Sequence, residues 1–189
     1  ANLGRHADAA PYFEMALERN PGDADAHAGL ADALAAQGKL GAAETHYLRA
    51  LKIQPDHAGA HKSYAFLLSR AGKPAAAAEQ FRNAIAVAPD AADAHLGLAD
   101  ALVRSNAFEE AERAYREALR LDPGNALAHN NYGDLLSRLN RRGEAIAQYE
   151  KALAINPENP NTHTNLGLAL ANEGRLGEAG KSLRRAVEL

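Results

Sequence analysis

Hydrophobic positions along the chain fall into pairs of short helical stripes. In residues 24–57, His27, Leu30, Ala31 and Leu34 lie at i, i+3, i+4 and i+7, one face of an amphipathic helix. Gly38 breaks the pattern, and a second stripe runs through Ala43, Tyr47, Ala50 and Leu51, with Ile53 closing it. Pro55 ends that stripe, because its ring cannot continue a helix and it also restricts the residue before it. The positions equivalent to Gly38 hold Gly72, Asn106, Asn140 and Gly174, residue types that tolerate the left-handed conformation ending many helices. The pattern therefore predicts a helix, a tight turn, a second helix and a proline turn, over and over.

The period of this pattern is 34 residues. Pro21, Pro55, Pro89, Pro123 and Pro157 keep it, as do His27, His61, His95, His129 and His163. Two alanine series run alongside: Ala43, Ala77, Ala111, Ala145 and Ala179, and Ala50, Ala84, Ala118, Ala152 and Ala186. Helices of about three turns are marginal alone in water, so each pair must gain stability by stacking on its neighbours. The small residues Ala31, Ala65, Ala99, Gly133 and Gly167 mark where helix backbones should nearly touch. A second-order pattern alternates large and small side chains: Leu30, Tyr64, Leu98, Tyr132 and Leu166 at one site, Ala33, Leu67, Ala101, Leu135 and Ala169 at another. Duplication of a two-repeat block accounts for this, and alternation keeps packed volume roughly constant along the stack.

The period, and the order small residue, turn, alanine, aromatic, alanine, proline, resemble the tetratricopeptide repeat. The aromatic position holds Phe13, Tyr47, Phe81, Tyr115 and Tyr149, with Leu183 in the last unit. Leu183 departs from the family pattern, and so does the histidine near each helix start, where the family often has a bulky aromatic. The resemblance covers essentially the whole chain. It implies an all-α fold, a right-handed α-solenoid of antiparallel helix pairs with eleven helices and no strands. Residues 1–23 read as the end of a truncated repeat, contributing its second helix. Repeats then follow at 24–57, 58–91, 92–125, 126–159 and 160–189, the last incomplete, all expected to form one solenoid domain. The chain begins at Ala1 and stops at Leu189 within a helix pair, so an excerpt of a longer array is expected. Uncapped ends of this kind are expected to associate end to end.

Composition narrows the function. Of 189 residues 47% are hydrophobic but only 5% aromatic, which suits thin layers of closely packed, alanine-rich helices. A net charge of −3 lacks the basic stripe that nucleic-acid binding requires. The absence of cysteine excludes disulfides, zinc-thiolate sites and cysteine nucleophiles, and leaves the compartment open. No apolar run approaches a membrane span, and the first residues lack a signal-peptide pattern.

Candidate chemistry is sparse. Packed helices lie about 8–10 Å apart, so successive histidines of the ladder cannot share one zinc ion with ligands about 2 Å away. Each histidine reads instead as a half-buried member of its helical stripe, with a collective response to pH as the functional possibility. No serine-hydrolase, zinc-protease or phosphate-loop motif occurs, and Glu109, Glu110 and Glu112 read as a solvated helix face. No enzyme, metal or cofactor is expected.

By the family resemblance, the first helices line a concave face. Their exposed sides carry Lys62, Phe66 and Arg70, then Leu96, Asp100, Val103 and Arg104, then Asn130, Asn131, Asp134 and Arg138. Arg70, Arg104 and Arg138 share the 34-residue spacing and would form a column suited to carboxylates, since a guanidinium binds them bidentately. Alternatively Asp100 with Arg104, and Asp134 with Arg138, satisfy one another as i,i+4 pairs. Phe66, Leu96 and Val103 are the candidate apolar anchors. Lys62 matches the lysine of the carboxylate clamp found in some family members, but Phe66 stands where that clamp has asparagine. Asn131 and Asn165 fit the asparagine ladder of O-linked N-acetylglucosamine transferases, whereas Gly29, Ser63 and Gly97 do not. The expected function is a scaffold that binds a peptide or protein in its groove, with no nucleic-acid or membrane partner. The alternative is the substrate-recruiting arm of a larger enzyme such as a glycosyltransferase or sulfotransferase. RNA reading by pentatricopeptide-like repeats would need a 35-residue period and a basic groove.

Overall fold

The computed structural model describes residues 9–189. The last turn of a first helix, which residues 1–23 also suggest ahead of that second helix, lies outside the described residues. Among the described residues there are eleven α-helices and no strand. They are α1 (Ala10–Arg19), α2 (Ala24–Ala36), α3 (Leu40–Ile53), α4 (Ala58–Arg70), α5 (Pro74–Val87), α6 (Ala92–Arg104), α7 (Phe108–Leu121), α8 (Ala126–Arg138), α9 (Arg142–Ile155), α10 (Pro160–Asn172) and α11 (Leu176–Glu188). Contacts divide the chain into two compact units, Ala1–Ser105 and Asn106–Leu189, where the repeat pattern leads to a single domain. The boundary falls inside the turn of the repeat at 92–125.

The turns obey the chemistry of their residues. Gly38, Gly72, Asn106, Asn140 and Gly174 all have positive φ, between 59° and 78°. At four of these turns the next N–H reaches back to the helix. Lys39 donates to the Leu34 carbonyl, Lys73 to Leu68, Arg141 to Leu136 and Arg175 to Leu170, each at 2.9 Å. These bonds satisfy carbonyls that a helix end otherwise leaves open. Asp23, Asn125 and Asn159 cap the starts of α2, α8 and α10 by accepting a backbone N–H from the third residue on. His57 does the same for α4 with Nδ1, so it precedes the helix that carries His61.

The histidine ladder ties each proline turn to the helix after it. Nε2 of His27, His61, His95, His129 and His163 lies 2.9–3.2 Å from the carbonyl of the proline six residues earlier. A carbonyl only accepts, so Nε2 carries a hydrogen in each of these contacts. Nδ1 of His61 and His129 then faces Gln80 and Gln148 at 2.7 Å, while His27 faces His46 at 3.0 Å. Among the described residues no cluster of three or more ligands could hold a metal.

Within each unit, consecutive helices pack in sequence, and successive first helices also touch: α2 with α4, α4 with α6, and α8 with α10. The alanines at 31, 43, 50, 65, 77, 99, 111 and 145 are at most marginally accessible, so neighbouring elements meet with little between them. Ile53, expected to close its stripe, is the last residue of α3 and is exposed. Gly133 makes room for the Tyr149 ring, which a Cβ would meet at 2.6 Å, while Gly167 faces the Leu183 side chain and the Ala179 carbonyl.

The two-repeat block recurs as hydrogen bonding. In the first unit Glu44 accepts from Tyr64 at 2.8 Å and pairs with Lys73 at 3.4 Å. Sixty-eight residues on, in the second unit, Glu112 accepts from Tyr132 at 3.0 Å and pairs with Arg141 at 2.8 Å and Arg116 at 2.6 Å. Glu112 is therefore not part of a solvated face. Tyr132 from α8 and Arg141 from the turn before α9 enclose it, and helical periodicity within α7 says nothing of either. Burial alone would raise its carboxyl pKa, but the hydrogen bonds from Arg141 and Tyr132 and the Arg116 charge hold it below the usual range. Tyr47 packs on Tyr64, and Tyr115 on Tyr132, with ring centroids 5.7 Å apart in both.

Candidate functional site

Contacts between successive first helices leave a cleft in each unit, and the two clefts are equivalent in sequence register. The first, of about 300 Å³, is lined by Asp32, Ala35 and Ala36 of α2, Tyr47 of α3, and Ser63, Phe66, Leu67 and Arg70 of α4. The second, of about 310 Å³, is lined by Asp134, Ser137 and Arg138 of α8, Arg142 and Tyr149 of α9, and Asn165, Leu168, Ala169 and Asn172 of α10. Asp32, Tyr47 and Ser63 stand 102 residues before Asp134, Tyr149 and Asn165, three repeats apart.

Each cleft has the same floor. Tyr47 donates its hydroxyl hydrogen to Asp32 Oδ1 at 2.5 Å, and Tyr149 donates to Asp134 Oδ1 at 2.8 Å. Burial, then the carboxylate beside it, raises the Tyr47 phenol above its ordinary range, and burial does the same for Tyr149. Burial also raises the Asp134 carboxyl, against the Tyr149 hydrogen bond and the Arg138 charge, which lower it. Asn165 donates to Asp134 Oδ1 at 2.9 Å and to Asn130 Oδ1 at 3.3 Å, joining α10 to α8.

The expected groove residues divide according to what holds them. Phe66 and Arg70 line the first cleft, Asp134 and Arg138 the second. Phe66 is exposed and packs T-shaped with Phe81, the ring centroids 5.0 Å apart. Lys62 is turned to Asp93 at the start of α6, 2.6 Å away. Arg104 donates to the Ser69 carbonyl at 2.7 Å, so this member of the arginine column covers the end of α4. Leu96, Asp100 and Val103 are half-buried on α6 and line neither cleft. Asn130 donates to Asn131 at 3.3 Å. Asp134 uses its Oδ1 for Tyr149 and Asn165, while Arg138 acts on it only through its charge.

The sequence pattern marks Tyr47 and Tyr149 only as packing aromatics, and it does not mark Asp32, Arg142 or Asn172 as groove residues. One signal for the floor is present there. The series Asp32, Phe66, Asp100, Asp134, Leu168 runs against Tyr47, Phe81, Tyr115, Tyr149, Leu183. A carboxylate stands wherever the aromatic carries a hydroxyl, and an apolar residue wherever it does not. On the second-helix side of the second unit a larger cleft, of about 740 Å³, is edged by Arg116 and Arg120. Both are already engaged, with Glu112 and Glu117.

Family models described as "Tetratricopeptide repeat" match residues 1–58 and 67–126, 114–147, and 160–189, and one described as "TPR repeat" matches 133–174. The chain belongs to the tetratricopeptide-repeat family. A comparison with curated protein sequences finds no match. Among solved structures, this tetratricopeptide-repeat chain is similar to that of MamA, with a TM-score of 0.81 and 24% identity over 84% of this chain and 93% of that one. It is similar to YrrB, described as a TPR protein with an unusual peptide-binding site, with a TM-score of 0.81 and 22% identity over 95% and 93%. PilF of Pseudomonas aeruginosa gives a TM-score of 0.78 and 23% identity over 87% and 75%. These likenesses establish the fold, an all-α solenoid of helix pairs. Among the described residues no helix is long and apolar enough to cross a membrane.

Proposed function

We propose that the chain is a protein-interaction scaffold that holds an extended peptide segment on the faces of its first helices. The observation that carries this reading is the recurrence of one cleft design in both units, an Asp–Tyr floor between successive first helices under different walls. A cleft of about 300 Å³ takes one side chain and its adjoining backbone. In the first unit Phe66 and the methyl groups of Ala35 and Ala36 offer apolar contact, with Arg70 at the edge. Specificity comes from which side chain each cleft accepts, while the repeated helices supply a stiff support.

The test is selection of linear random peptides displayed on phage against the immobilised chain, followed by calorimetric titration of a selected peptide. Wild-type chain is compared with the triple variant Arg70→Ala, Arg104→Ala, Arg138→Ala and, separately, with Phe66→Ala. Weakening of about tenfold or more in either, with unchanged far-ultraviolet circular dichroism, is the expected result, since a hydrogen bond to a charged group contributes about 1.5–3 kcal/mol. Failure to select any peptide above background would sink the reading. Full affinity retained in the triple variant would remove the arginines and leave the apolar wall.

A further inference from the structure

We infer that the cleft of the second unit is a subsite for a carboxylate side chain, read by Arg138 and Arg142 together. This rests on the peptide-scaffold reading and names the residue type that this cleft accepts.

The argument begins with what folding leaves unused. Arg141 and Arg142 are adjacent, yet only the first is consumed by the fold, binding Glu112 at 2.8 Å and Glu144 at 2.6 Å. Arg142 lines the cleft, as does Arg138 from the last turn of α8, and among the described residues neither makes an ion pair or a hydrogen bond. Asn172, at the end of α10, lines the same cleft with its amide likewise unused. Two guanidinium groups and an amide therefore converge on one space with no anion of the protein's own to bind, apart from Asp134. The Asp134 carboxylate is held at the floor by Tyr149 and Asn165.

Comparison with the equivalent cleft shows that these groups are not part of the repeat's structural requirements. Three repeats earlier the floor is the same, but Ala35 and Ala36 occupy the places of Ser137 and Arg138, and Leu40 that of Arg142. The repeat folds with aliphatic side chains there. Arg138 and Arg142 thus stand where the first unit has aliphatic residues, while Asn172 takes the place of Arg70.

Charge and size then select the ligand. Two guanidinium groups less one carboxylate leave a single net positive charge in the cleft, which suits a monoanion. Asp134 opposes the second charge of a phosphate. A volume of about 310 Å³ fits an aspartate or glutamate side chain with its own backbone, and the exposed Leu168 supports the methylenes. A planar carboxylate meets a guanidinium through two parallel hydrogen bonds, an arrangement lysine could not supply.

The experiment selects displayed random heptapeptides in parallel on the wild-type chain and on the variant Arg138→Gln/Arg142→Gln, whose thermal melt is checked against wild type. Expected is enrichment of Asp and Glu in the wild-type pool and its loss in the variant pool. A selected acidic heptapeptide should lose at least tenfold in affinity with the variant. The same peptide with its acid changed to the amide should lose a similar factor on the wild-type chain and nothing further on the variant. Peptides recovered without acidic enrichment, or with equal enrichment on both chains, overturn the carboxylate subsite and leave the scaffold reading standing. No peptides recovered on either chain overturns both.

Discussion

Tyr149 of α9 donates its hydroxyl hydrogen to Asp134 of α8 across 2.8 Å, and Tyr47 makes the same bond to Asp32 in the other unit. The bond closes each helix pair from within and positions a carboxylate at the bottom of a cleft. It also explains a difference among the aromatic residues. A tethered tyrosine leaves room for a side chain in the next first helix, Ser63 after Tyr47 and Asn165 after Tyr149. An untethered phenylalanine fills that space. A Cβ at Gly29 or Gly97 would lie 2.3 Å from the ring of Phe13 or Phe81.

The tether should be worth about one hydrogen bond. Tyr47→Phe is expected to cost about 0.5–1.5 kcal/mol in urea denaturation, because the exposed Asp32 turns back to water. Adding Asp32→Phe reproduces the Phe66–Phe81 pair and should recover at least half of that loss. A double variant less stable than the single one would show that the pair is not interchangeable with its apolar counterpart.

The glycine contact yields a steric prediction. Gly97→Ala forces a methyl group into the buried Phe81 ring and should destabilise by about 1–3 kcal/mol, despite alanine's better helix propensity. Gly41→Ala meets nothing within 4 Å and should be neutral or up to about 1 kcal/mol stabilising. Equal effects of the two in thermal melts would refute the packing argument.

One histidine, His46, gives a dependence on pH. Burial, then the His27 and Arg49 charges, holds His46 below its ordinary 6.5, with Glu14 opposing. The unfolded chain therefore takes up a proton at a higher pH than the folded one. The stability that neutral His46 provides is full above about 6.5 and falls as pH drops toward the folded value. Glutamine stands at the equivalent positions 80 and 148, so His46→Gln should flatten stability between pH 7.5 and 5.5. An unchanged slope in denaturant titrations would remove His46 as its source.

Self-association is expected to arise at α11. Leu176 and Val187 are 70% and 89% exposed, whereas Leu119 and Leu153, the residues equivalent to Val187, are half-buried. Sedimentation at rising concentration should show reversible association, suppressed by Leu176→Lys with Val187→Lys. Identical sedimentation of variant and wild type would exclude this face.

The helices and turns could be read from the sequence because their determinants are local. Proline, glycine and asparagine fix the chain's direction, and the stripes between them fix what is buried. The site was less legible because its bonds join different helices. Reading each column of the repeat separately finds Asp134 and Arg138 but pairs them along α8, whereas Asp134 bonds to partners on α9 and α10. Arg142 begins a second helix, where an arginine reads as solvated, and only the packing of α8, α9 and α10 brings it beside Arg138. Glu112 was misread for the same reason, its partners coming from Tyr132 and Arg141.

The pairing of each aromatic with the residue sixteen positions on gives the leading part of the array, from Phe13 to Tyr115, a parity. Recombination that removed residues 58–91 would set Tyr47 beside Gly97, and removal of 92–125 would set Phe81 beside Asn131, each a mismatch of ring and pocket. Removal of 58–125 would set Tyr47 beside Asn131, a combination already present in Tyr149 and Asn165. Beyond Tyr115 the constraint lifts, since removal of 126–159 would set Tyr115 beside Asn165, the same combination as Tyr115 with Asn131. The leading part of the array changes length without penalty at this contact in even steps, and its trailing part in single ones.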